Sequence, residues 1–122
     1  MLGHISFGVR DLALAGMFYD AALAPLGWVR LWDSPRGLGY GPPGGGEKLN
    51  LFPYLDSHPP GPGFHLAFDA PGRDAVDAFY VAALAAGGAD RGAPGPRPDY
   101  GPAYYAAFVS DLDGYRLEAV HQ

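Results

Sequence analysis

A chain of 122 residues with formal net charge -5 and 48% hydrophobic residues has the size and apolar stock of one globular domain, although 19 glycines and 13 prolines make it rich in turns. Eight basic side chains against thirteen acidic ones, with no basic run, exclude the phosphate-neutralising stripe of a nucleic-acid binder. No apolar stretch reaches the ~20 residues of a membrane span, and the absence of cysteine removes disulfides, thiolate nucleophiles and sulfur metal ligands.

In chain order, residues 4–9 alternate apolar and polar side chains as a half-buried strand does, and Leu14, Met17, Phe18, Ala21 and Ala22 then recur with helical spacing. Asp11 is placed to cap that helix, and Pro25 and Gly27 to end it. Strands follow over 28–32, 38–40 and 48–54, with Gly44-Gly45-Gly46 as a loop that lacks the helix and lysine of a phosphate-binding loop. Pro-rich residues 53–63 form a linker. The pattern then returns: His4-Ile5-Ser6-Phe7 is matched by His65-Leu66-Ala67-Phe68, Phe18-Tyr19 by Phe79-Tyr80, and Gly27 by Gly88, each 61 residues further on. The second half accordingly reads as a strand at 64–69, a helix through Val76, Phe79, Tyr80, Ala83 and Leu84 ended by Gly87 and Gly88, and strands at 89–91, 104–109 and 115–120. A Pro/Gly loop is expected over 92–102, and Asp111-Leu112-Asp113-Gly114 as a tight hairpin turn. The fold class is therefore α+β, two βαβββ modules (1–56 and 63–122) paired within one domain spanning 1–122, because neither half could bury its own sheet and helix alone.

The repeat gives the histidines meaning. Strand alternation sends Ile5, Phe7 and Val9 toward the helix and leaves His4 on the open face; His65 occupies the same place in the second half, with Leu66 and Phe68 inward. On the last strand Leu117 faces inward and Glu118 outward. Two histidines and one carboxylate with open coordination positions suit a divalent ion such as Zn, Ni, Mn, Co or Fe. His58 in the linker and His121 beside the C-terminus read as surface residues.

With these elements in place the whole chain resembles the vicinal oxygen chelate superfamily, the group of glyoxalase I, methylmalonyl-CoA epimerase, extradiol dioxygenases, fosfomycin-resistance enzymes and bleomycin-binding proteins. The matching pieces are His4-Ile5-Ser6-Phe7-Gly8-Val9-Arg10-Asp11-Leu12, Phe18-Tyr19 with Leu23-Ala24-Pro25-Leu26-Gly27, His65-Leu66-Ala67-Phe68, and Phe108-Val109-Ser110-Asp111-Leu112-Asp113-Gly114 through Glu118. The resemblance implies sheets curled into a cup that holds a divalent metal on His4, His65 and Glu118, chelated by vicinal oxygens of a small-molecule substrate, and a homodimer. Glyoxalase I has a further carboxylate on the last strand of the first half; here that position falls on Asn50, whose amide cannot serve as a general base.

Further candidates for the substrate side of the cup are Phe108 and Tyr104, which share a strand face with Glu118, together with Tyr100 and Arg97 in the Pro/Gly loop. Tyr104 would serve as acid or base if its pKa were lowered, and Arg97 would pair with an anion. The expectation is thus a glyoxalase-like, metal-dependent lyase, isomerase, dioxygenase or transferase acting on a small molecule, cytoplasmic because MLGHISFGVRD lacks the basic and apolar regions of a signal peptide. The alternative is a metal-free, bleomycin-resistance-like dimer whose aromatic clefts bind a drug-like molecule, with net acidity favouring a cation.

Overall fold

In the computed structural model, which describes all 122 residues, the repeat is one of structure. The first module runs β1 (Ile5–Val9), α1 (Leu12–Leu23), β2 (Val29–Ser34), β3 (Gly37–Gly41) and β4 (Leu49–Pro53). The second runs β5 (Leu66–Asp69), α2 (Arg73–Ala85), β6 (Ala89–Pro96), β7 (Tyr105–Ser110) and β8 (Arg116–His121). Each module forms a four-stranded mixed sheet, in the orders β1-β4-β3-β2 and β5-β8-β7-β6. In both, the first strand lies parallel to the last and the remaining pairs are antiparallel. No helix is long and apolar enough to cross a membrane.

Local chemistry sets the helix ends. Asp11 Oδ1 accepts the Leu14 N–H at 3.0 Å, satisfying one of the donors that a helix start leaves without partners. α1 then tightens into a 3-10 turn, Ala24–Leu26, that carries Pro25. Its buried side, Ala15, Phe18, Tyr19, Ala22 and Leu23, meets Val76, Phe79 and Ala83 of α2. The helices pack on each other as well as on the sheets, so both modules contribute to one hydrophobic core. Small alanines on the inner faces permit that close approach.

Hydrogen bonds also clasp the modules together, around the β7–β8 turn. The Tyr19 hydroxyl donates to Asp111 Oδ2 at 2.5 Å, while Asp111 Oδ1 accepts the backbone N–H groups of Asp113 and Tyr115. Arg10 donates from its backbone N–H and its Nε to Asp113 Oδ1, each at 2.9 Å, and the Tyr115 hydroxyl donates to the Gly8 carbonyl at 2.8 Å. Within this turn only Gly114 takes a positive φ, +91°; Asp113 does not, and its carboxylate is engaged by Arg10 and its N–H by Asp111.

The expected loop at 92–102 is shorter than its composition suggests, since β6 continues to Pro96. β6 is an edge strand, and its register slips between Asp90 and Gly92 and again between Gly92 and Gly95. An edge position and bulges are the places where a sheet accepts proline, because a missing N–H there costs no ladder bond.

Candidate functional site

The second sheet has a helix side and an open side, and the ladder register assigns residues to each. Glu118 stands opposite Ala67 on β5 and Phe108 on β7, so these three share a face. Two residues along β8, Arg116 opposes Ser110 on the same face. Leu117 and Ala119, between them in phase, are fully buried in the core. His65, two residues before Ala67, enters the same open side from the linker.

There the side chains form a compact cluster. Glu118 is only 1% exposed, a carboxylate sunk into the sheet rather than a solvated strand residue. Its Oε1 lies 3.1 Å from His65 Nε2, and its Oε2 accepts the Tyr104 hydroxyl. Both carboxylate oxygens therefore have a partner, as burial of an ionisable group requires. Loss of solvent around the Tyr104 hydroxyl, with the Glu118 carboxylate beside it, pushes that hydroxyl up to about 12. Tyr104 is accordingly a donor at neutral pH and not a base, its hydroxyl pKa being raised and not lowered. Tyr100 packs edge-on to Tyr104, with ring centroids 5.3 Å apart, and Phe108 edge-on to His65 at 6.2 Å. The Arg97 guanidinium lies over the Phe108 ring, 5.6 Å from its centroid, and donates to the Ala93 carbonyl.

A cavity of about 660 Å³ opens on the His65 side of this cluster, walled by Phe64 and His65, by Tyr100 and Phe108, and by Arg91 and Arg116. Pro59 and Pro62 of the linker form its rim. Arg91 and Arg116 were not singled out from the sequence. Arg116 was legible as the residue alternating with Glu118, whereas Arg91 is brought into place by the irregular register of β6.

The first module repeats the geometry without the chemistry. Asn50 stands opposite Ser6 and Gly39, in the position that Glu118 holds in the second sheet. It is buried, and its Oδ1 accepts the Trp32 indole N–H at 3.0 Å. Trp32 lies so close over Gly39 that any side chain there would collide with the indole. Asn50 is thus held by Trp32 on its own module, beside a second cavity of about 600 Å³ that Trp32, Arg36, Phe52 and Tyr54 line.

His4 is exposed, just before β1, and no three His, Asp or Glu side chains come together in the chain. His65 and Glu118 are brought together, and His4 is not joined to them. His58 is exposed, with its ring against the Pro59 carbonyl; His121 is half-buried, its Nδ1 3.0 Å from the Ala70 carbonyl.

Comparison with known proteins agrees with this architecture. A glyoxalase/bleomycin resistance protein from Albidiferax ferrireducens T118 is 30% identical, with 98% of this chain and 96% of that one covered at a TM-score of 0.83. A putative glyoxalase from Bacillus halodurans is 26% identical over 98% and 94% of the two chains, at a TM-score of 0.74. A glyoxalase-related enzyme from Fulvimarina pelagi, 20% identical, shares the fold at a TM-score of 0.77 over 100% of this chain and 88% of that one. No protein of curated function matches the chain. The family model for the Glyoxalase/Bleomycin resistance protein/Dioxygenase superfamily matches residues 1–119, and with its paired βαβββ modules the chain belongs to that superfamily.

Proposed function

We propose that this chain is a divalent-metal-dependent enzyme acting on a small molecule with two adjacent oxygen atoms, and that it works from the open side of the second sheet. The observation that carries the reading is the buried Glu118 carboxylate held between His65 Nε2 and the Tyr104 hydroxyl, beside a cavity that His65 lines and that is large enough for a small substrate. An imidazole nitrogen and a carboxylate oxygen in contact are donors that Zn, Ni, Mn or Fe accepts, so His65 and Glu118 fit such an ion as part of its ligand set. A third donor is needed, and His4 is the residue that the repeat pairs with His65. It is exposed and uncommitted to any side-chain hydrogen bond, which suits its delivery from a second copy, so the working unit is proposed to be a homodimer.

When bound, the ion supplies Lewis acidity that polarises the paired substrate oxygens. The chain's own residues do the rest. Tyr104 orients Glu118 by donating to Oε2, as hydrogen bonds behind a ligand characteristically do. Phe108 packs edge-on to His65 and, with the exposed Tyr100, lines the cavity beside the pair. Asn50 offers no titratable group and is held by Trp32, so the proton held on the open side of the sheets is the one between the Tyr104 hydroxyl and Glu118 Oε2 of the second module. A metal-free binding dimer is the second reading, favoured by the separation of His4 from the other two donors within one chain.

Elemental mass spectrometry of the purified protein beside H65A and E118Q separates the two. Near-stoichiometric metal that both variants lose is the expected result. Protein that holds no metal even after incubation with zinc, nickel, manganese and ferrous ions would overturn the enzymatic reading in favour of the binding module.

A further inference from the structure

The chain is acidic overall, yet three of its eight basic side chains gather at one place. Arg91 and Arg116 line the cavity that His65 borders, and Arg97 lies against the same wall, over Phe108. None of the three has a carboxylate partner: the arginines that form ion pairs are Arg10 with Asp113, and Arg30 with Asp20 and Asp33. Arg91 Nε donates instead to Ser110 Oγ at 3.3 Å, and Ser110 is the residue opposite Arg116 in the β7–β8 ladder. Arg91 and Arg116 are therefore both neighbours of Ser110, one by hydrogen bond and one by ladder register. The carboxylate on this face, Glu118, is already engaged by His65 and Tyr104, and Asp90 lies beside the Tyr80 hydroxyl.

Arg91 and Arg116 are exposed, but they line one concavity together rather than lying scattered over the surface. Their planar forks match the oxygens of a carboxylate or phosphate two at a time. Beside them Phe64, Phe108 and Tyr100 supply aromatic surface to the same cavity. Flat aromatic sides with a cationic end suit a ligand that has a flat ring and an anionic end. The net charge of the whole chain points to a cation; the charges that face the cavity point the other way, and they are the ones a bound molecule meets.

We infer that the cavity selects a small aromatic anion, its carboxylate or phosphate between Arg91 and Arg116 and its ring against Phe64 and Phe108, with the far end directed toward His65 and Glu118. This names the substrate class of the proposed site and rests on that reading for the role of the far end, while the binding itself does not depend on a metal.

The test is a titration of chelator-treated full-length protein, followed by NMR, with benzoate and phenyl phosphate as probes. Benzamide serves as the neutral control, benzamidine as the cationic one and inorganic phosphate as the anion without a ring. Saturable shifts at Arg91, Arg116 and Phe108 are expected with one or both aromatic anions, and the tighter of the two identifies the headgroup. R91Q and R116Q should each weaken that binding about tenfold, the effect expected when one charged hydrogen-bonding partner is lost. R36Q, at the other cavity, should leave it unchanged. Equal binding of benzamidine or benzamide, equal binding of inorganic phosphate, or indifference to R91Q and R116Q would overturn the inference. E118Q keeps its failure distinct from failure of the metal reading: that variant should lose metal yet keep benzoate binding or improve it, since one negative charge is gone. Metal uptake without arginine-dependent anion binding would sink only the present inference.

Discussion

Asp111 is the residue whose replacement should cost the fold most for its size. It is 6% exposed and accepts three hydrogen bonds, from the Tyr19 hydroxyl of the other module and from the N–H groups of Asp113 and Tyr115. D111A would strand all three donors in a region closed to water. Each orphaned buried donor costs about 1–3 kcal/mol, and relief of the buried charge offsets part of the sum, so a net loss of about 3–5 kcal/mol is expected. That is a large share of the ~5–15 kcal/mol available to a domain of this kind, and corresponds to at least about 10 °C in Tm. Burial raises the Asp111 pKa in spite of the three hydrogen bonds, so the charge itself is a burden while the oxygens are not. D111N keeps an oxygen for the two N–H groups and leaves only the Tyr19 O–H without its acceptor, so it should cost about 1–3 kcal/mol, less than D111A. Urea unfolding followed by the fluorescence of Trp28 and Trp32 gives both values. If D111A lay within 1 kcal/mol of the parent protein, or D111N were as damaging as D111A, the clasp would not hold the modules as described. Because the clasp sits at the start of β8, its loss should also disturb Arg116 and Glu118 downstream.

Three further outcomes follow from the same coordinates. F79A, which empties a fully buried site where α2 meets the core, should destabilise by about 3–5 kcal/mol in the same urea assay. Y104F removes the donor to Glu118 Oε2, and should weaken metal uptake about tenfold or more by competition with a chelator, while stability changes by less than about 1 kcal/mol. Burial and the neighbouring acidic groups Asp111 and Asp20 raise the Tyr19 and Tyr40 hydroxyls above the ordinary tyrosine value. Their stabilisation is whole below pH ~10, where unfolded tyrosine begins to ionise, and is lost as pH rises through the folded values. Tm measured across that range should therefore fall, and less steeply in Y19F than in the parent protein; equal slopes would refute the assignment.

Much of the molecule can be read along the chain because its information is periodic. The 61-residue repeat, the Asp11 cap and the apolar alternation of Ile5, Phe7 and Val9 are local signals, and each gave the element it predicts. The pairing of Glu118 with Phe108 across the hairpin follows from the same period-two rule once a turn is placed at Asp111–Gly114. Only the start of β6, residues 89–91, was legible in this way; its continuation to Pro96 was not, since its bulges break the period and its prolines mimic a loop.

What lies along one strand or helix was thus set by side-chain spacing, because backbone geometry converts spacing directly into faces. What lies between elements was not. The burial of Glu118 against His65 and Tyr104, the capture of Asn50 by Trp32, and the separation of His4 from the other two donors depend on how deep each sheet sits and on what packs over it. The convergence of Arg91 and Arg116 depends further on a register slip that no local pattern encodes. Burial and charge environment are sums over neighbours distant in sequence, so only the packed tertiary structure could decide them.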